Sequence, residues 1–123
     1  MTTAFWCVLV AGLLPYVATI TAKAGSRFDN RNPRDWLAKQ EGYRRRANAA
    51  QSNSFEAFPL FAAAVLVAFA VHAPQNKVDL LAVGFIAARV AYLLCYVADW
   101  AVLRSVAWLA GIVCAVMIFV AGS

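Results

Sequence analysis

Charge is what this sequence has least of. Of its 123 residues 14% are charged and 63% hydrophobic, and the mean hydropathy is +0.67. A soluble domain carries roughly a quarter charged residues. The deficit is too large for a surface in water, so lipid must cover much of the chain. Strict alternation of polar and apolar residues is also absent, which removes the main sign of half-buried strands. Cys7, Cys95 and Cys114 lie inside apolar blocks with no CxxC or Cys/His spacing. Metal and redox motifs are therefore unsupported, and the three cysteines read as small core residues. No internal repeat or low-complexity segment is present. The first apolar block lacks the basic start of a secretory leader, and Pro15 lies deep within it. It reads as a retained spanning helix, although Ala22-Lys23-Ala24 resembles a cleavage site.

What is present is a set of long apolar blocks. Met1 to Ala22 carries no charge, and Ala57 to Ala73 has only His72 as a titratable group. Leu80 to Ala98 is interrupted only by Arg89, and Ser105 to Ser123 has no charge. A spanning helix needs roughly 17–25 such residues. The chain therefore reads as one domain over residues 1–123, an all-α integral membrane four-helix bundle. The expected spans cover about 3–23, 44–73, 76–99 and 102–121, with a polar loop over about 24–43. Asp29-Asn30-Arg31-Asn32-Pro33 supplies turn chemistry in that loop. Kinks are expected at Pro15 and Pro59, which membrane helices tolerate when neighbours satisfy the freed carbonyl.

The net charge of +5 is unevenly placed. Eight of the eleven Lys and Arg residues lie between Lys23 and Arg46. By the positive-inside rule this loop is cytoplasmic and both termini face the other side. Because the cations flank membrane spans, they point to the lipid surface and to orientation rather than to nucleic acid. Short loops and the lack of targeting signals suggest a bacterial inner membrane.

Ionisable groups inside a membrane span are costly and point to function. Arg89 lies ten residues before Asp99, about 15 Å along a helix. Tyr92 and Tyr96 follow it at i+3 and i+7, on one helical face. Glu56 is the expected partner of Arg89, with Asn53 three residues earlier on the same face. An ion pair that merely locks the bundle, with the tyrosines as interfacial anchors, would give the same pattern. Arg46 lies seven residues before Asn53, on the line leading into the membrane. The run Arg44 to Arg46 also fits a solvated face or a lipid headgroup anchor. Arg104-Ser105 opens the fourth span, where a cation opposes the helix dipole unless an anion sits there. A plain positive-inside stop signal is the alternative. Together these groups suit a small zwitterion with excess negative charge in a cleft at the cytoplasmic side. Glutathione, with two carboxylates, an amine and a thiol, is such a molecule. A cation and a hydroxyl donor beside its sulfur would favour the nucleophilic thiolate, and Arg104 and Ser105 offer both.

The stretches Arg46-Ala-Asn-Ala-Ala-Gln-Ser-Asn53-Ser-Phe-Glu56-Ala-Phe-Pro59, Arg89-Val-Ala-Tyr92-Leu-Leu-Cys-Tyr96 and Arg104-Ser105 resemble one known family. It is the membrane-associated proteins in eicosanoid and glutathione metabolism (MAPEG), which include the microsomal glutathione transferases, and the bacterial-type members are the nearest in character. The resemblance covers nearly the whole chain. It implies a homotrimer with glutathione held between neighbouring subunits. In that reading Asn53, Glu56, Arg89, Tyr92, Tyr96, Arg46 and, more loosely, Lys23 bind the tripeptide. Arg104 and Ser105 lie closest to the thiol. Two departures stand out. Gln51-Ser52 replaces a His-Arg pair found in some members, and Trp108 replaces an aromatic hydroxyl found after the Arg-Ser pair.

The leading expectation is a glutathione-dependent transferase or peroxidase acting on lipophilic small molecules that arrive through lipid. A non-catalytic lipid or thiol binder of the same fold is the alternative. A small multidrug-type transporter fits less well, because such exporters need a titratable acid inside a span, commonly the first. The first span here has none.

Overall fold

The computed structural model describes residues 1–123, and it contains helices and turns but no strand. Helix α1 runs Thr3–Lys23, α2 Pro33–Ala38, α3 Gly42–Ala70, α4 Gln75–Val97 and α5 Ala101–Phe119, followed by a short 3-10 turn at Val120–Gly122. α1, α3, α4 and the segment Ala101–Gly122 are each long and apolar enough to cross a membrane.

Each boundary has a local cause. Thr2 caps α1 by accepting a hydrogen bond from the Phe5 amide at 3.1 Å, which satisfies one of the free N–H groups of the first turn. Gly25, at φ +72°, turns the chain away just beyond the α1 C-terminus. The expected polar loop contains a helical turn, α2, which begins at Pro33. Proline suits the first helical position because its missing N–H would be unpaired there anyway. Leu37 of α2 is buried with Ala22 and Ala47, which fastens α2 onto α1 and α3. α3 ends at Ala70, three residues before the expected end of the second span. His72, with φ 57°, makes the turn into α4, and Asp99, with φ 64°, makes the turn into α5. Pro15 and Pro59 both lie within continuous helices.

α1 packs mainly on α3, and α4 mainly on α5. The core uses small residues: Ala4, Ala11, Ala64, Ala68, Ala82 and Ala115 are all buried. Lipid supplies little hydrophobic drive for helix association, so close approach of backbones at small residues holds such bundles together. In the middle the rings of Phe61 and Phe85 lie parallel, 3.9 Å apart with a 2° tilt. The alternation of helix directions puts the α1 C-terminus, α2, the start of α3 and the α4–α5 turn at one end of the bundle. This is the basic end. At the opposite end Asp79 of α4 accepts hydrogen bonds from the Ala4 amide of α1 at 2.9 Å and from Gln75 at 2.7 Å. One carboxylate thereby caps a neighbouring helix.

Candidate functional site

The polar residues of the spans converge between the Phe61–Phe85 stack and the basic end. Arg89 is 3% exposed and donates from Nη2 to Asn53 Oδ1 at 2.7 Å. Sequence reasoning named Glu56 as its partner. The structure gives that place to Asn53, because Asn53 turns toward α4 while Glu56 projects from the exposed side of α3. An amide oxygen satisfies a guanidinium without requiring a second buried charge.

From Arg89 a column of cations and rings runs toward the basic end. The guanidinium lies over the Tyr92 ring at 4.2 Å. Tyr92 meets Tyr96 edge to face, with ring centres 5.6 Å apart. The Arg104 guanidinium then caps Tyr96 at 4.5 Å. Two guanidinium groups thus clamp a pair of phenols, an arrangement favoured electrostatically by the ring faces. The stripe Arg89, Tyr92, Tyr96 follows from helical periodicity, and Arg104 reaches it because the α4–α5 turn is short. α5 comes close to α4 at Gly111, where an added Cβ would lie 3.6 Å from Arg89 Cδ and 3.8 Å from Phe85.

The remaining predicted residues divide between the column and other tasks. Ser105 is exposed on α5, and its hydroxyl donates to the Ala101 carbonyl at 3.2 Å. Together with Arg104 it borders a shallow, open hollow on the outside of α5, beside Val102, Val106 and Leu109. Glu56 is exposed at the edge of the apolar part of α3. Arg46 is engaged elsewhere: its Nε and Nη2 both donate to the Val97 carbonyl, at 3.2 and 3.1 Å. It closes the C-terminus of α4, where carbonyls lack partners. Arg44, in the same basic run, does the same for α1 through the Ala22 and Ala24 carbonyls, at 2.9 and 2.8 Å. Lys23 sits over the Phe28 ring at 4.0 Å. Trp108 is exposed on α5. Gln51 and Ser52 line a recess against α2 rather than the column.

Sequence reasoning missed the Arg44 and Arg46 caps, the cap made by Asp79, and Ser54. Ser54 is buried at a crevice with Phe85 and Arg89 that has no space for a water molecule. Its only signal in the sequence is a polar residue on the core side of a helix.

A family model described as the MAPEG family matches residues 3–122. No curated protein and no solved structure matches the chain.

Proposed function

The chain belongs to the MAPEG family, and from that premise we propose that it is a glutathione-dependent transferase or peroxidase acting on lipophilic electrophiles. At the coarser level it is an integral multi-pass membrane protein of the glutathione and eicosanoid metabolism type. The observation that carries the finer reading is the column Arg89–Tyr92–Tyr96–Arg104, in which two guanidinium groups stand on aromatic faces without a carboxylate as hydrogen-bond partner. Such a row has unused donors for the two carboxylates and the thiolate of glutathione.

In this reading Asn53 holds Arg89 in position, and Arg89, Tyr92 and Tyr96 contact the tripeptide. Arg104 lies at the end of the column that faces the exposed side of α5, where Ser105 and the open hollow are found. Arg104 stabilises the sulfur as thiolate, and Ser105 turns its hydroxyl from the Ala101 carbonyl to the sulfur. In transfer, the thiolate forms a C–S bond and the leaving group departs with its electron pair. In peroxide reduction, the thiolate takes one peroxide oxygen and the alcohol leaves. A second glutathione then condenses with the sulfenic acid to give disulfide and water. Glu56 and Ser105 are exposed in a single subunit, which fits a ligand completed by a neighbouring subunit in a homotrimer. Glu56 then receives the glutathione amine, and Lys23 reaches a ligand only across that interface. The lipophilic substrate enters sideways from the bilayer. The basic end, with its cluster of Lys and Arg, faces the cytoplasm.

Ultraviolet difference absorbance of detergent-purified protein with glutathione tests the reading. A thiolate band is expected in wild type and its loss in Arg104→Ala. Glutathione binding with no thiolate band would favour the non-catalytic binder instead. One observation speaks for that second reading: the Ser105 hydroxyl is satisfied by its own helix.

A further inference from the structure

Besides the Tyr92 ring, the chain buries two polar side chains, Arg89 at 3% exposed and Ser54 at 6%. Both line one crevice between α1, α3 and α4, whose remaining walls are alanine, leucine and phenylalanine side chains. Their meeting follows from helical periodicity. Ser54 lies seven residues before Phe61 on α3, and Arg89 lies four residues after Phe85 on α4. Each therefore shares a face with one ring of the stack. Because α3 and α4 run in opposite directions, both steps lead from the stack toward the basic end.

Ser54 and Arg89 both keep hydrogen-bonding capacity. Thr19, Thr21, Ser52 and Ser105 each donate to the carbonyl four residues earlier in their own helix, a common bond for hydroxyls within helices. Ser54 makes no such bond to Ala50, and its hydroxyl is left uncommitted at the crevice. Its neighbour Asn53 takes Nη2 of Arg89 at 2.7 Å, and the remaining guanidinium N–H groups have no acceptor in the chain. A hydroxyl without a partner among apolar side chains is unfavourable, and the crevice has no space for a water molecule. The other polar side chain lining it is Arg89.

A single hydrogen bond lets a guanidinium pivot about that contact. Bidentate pairing with a carboxylate needs the plane fixed, because two parallel N–H groups must aim at two oxygens. Asn53 alone does not fix it, whereas a second acceptor on the core side does. A serine hydroxyl turns about one bond and offers two lone pairs. We propose that Ser54 is a positioning residue for Arg89: its hydroxyl accepts a second N–H from the guanidinium once a ligand carboxylate is bound, and so fixes the plane that the carboxylate meets. This rests on the thiol-binding reading above and adds to it a residue that touches Arg89 but not the ligand.

Isothermal titration of glutathione into the detergent-purified full-length protein, beside thermal unfolding without ligand, tests this. Ser54→Ala removes the hydroxyl and nothing else. Its glutathione dissociation constant should rise about tenfold, the loss expected for a hydrogen bond to a charged group. Its ligand-free unfolding temperature should stay level or rise, since an unpaired buried hydroxyl has gone. Two analogues carry the argument further, glutathione amidated at the glycine carboxylate and glutathione amidated at the glutamyl α-carboxylate. For one of them the Ser54→Ala loss should vanish, because the effect runs through the carboxylate that Arg89 meets. Unchanged affinity in Ser54→Ala, an equal loss for glutathione and both amides, or a loss of affinity accompanied by a lower unfolding temperature would each overturn Ser54 as a positioning residue and leave the thiol reading in place. Absence of glutathione binding by the wild type at millimolar concentration would overturn that reading and this inference with it.

Discussion

Arg89 uses one of its five N–H donors within the chain, and it does so on an amide. That choice makes Asn53 and Arg89 unequal. Asn53→Ala removes the one hydrogen bond of a buried cation, a loss of about 2 kcal/mol. Arg89→Met removes the charge itself while its side chain still packs over Tyr92. The expected outcome is a lower unfolding temperature for Asn53→Ala than for Arg89→Met, measured in the same detergent, with glutathione binding lost in both. The reverse order would mean that the guanidinium holds the bundle together and is not kept for a ligand. The pairing itself was not legible in the sequence. Opposite charges suggested Glu56, and only the rotation of α3 about its axis decides which of two residues three apart meets α4.

At the scale of elements, the arginines at the start of α3 do for α1 and α4 what those helices cannot do for themselves. Arg44 covers the last carbonyls of α1 and Arg46 the last of α4. Sequence position put Arg46 on the line toward Asn53, and a ligand contact was the natural reading. The structure shows a helix cap, and knowing that requires knowing which helix ends lie side by side. The two roles separate experimentally. Arg46→Ala should cost about 1 kcal/mol of stability and leave the glutathione dissociation constant within about twofold, a difference below 0.5 kcal/mol. A large loss of affinity without loss of stability would return Arg46 to the ligand. The four long helices were legible because apolar length is a property of the chain in one dimension. α2 was not, because six residues with mixed polarity carry too little of any period to stand out from a loop.

For the whole molecule, the telling quantity is how little one subunit covers of itself. Between 22% and 39% of each span is buried within the chain. Leu13, Val17, Leu80, Leu94, Val106 and Leu109 are all widely exposed. Lipid covers such a belt readily, but it does not cover Glu56, which is exposed at its edge. A charged group there needs water, a ligand or another subunit. A homotrimer supplies the last of these, and native mass spectrometry in mild detergent is expected to show three copies. A monomer that still binds glutathione would place the whole site within one subunit. The sequence could not decide this, since exposure to lipid and exposure to a sister helix select the same apolar residues.

The stacked rings of Phe61 and Phe85 have a bearing on ions. They lie in the bundle beneath Arg89, with Phe85 also lining a crevice too tight for water. Stacked rings offer water no hydrogen-bonding partner, so at this level they oppose a file of water molecules that could carry protons or metal cations along the bundle. Reconstituted into a planar bilayer, the protein should be electrically silent under an applied voltage. Widening the seal with Phe61→Ala is the change most apt to make it leak.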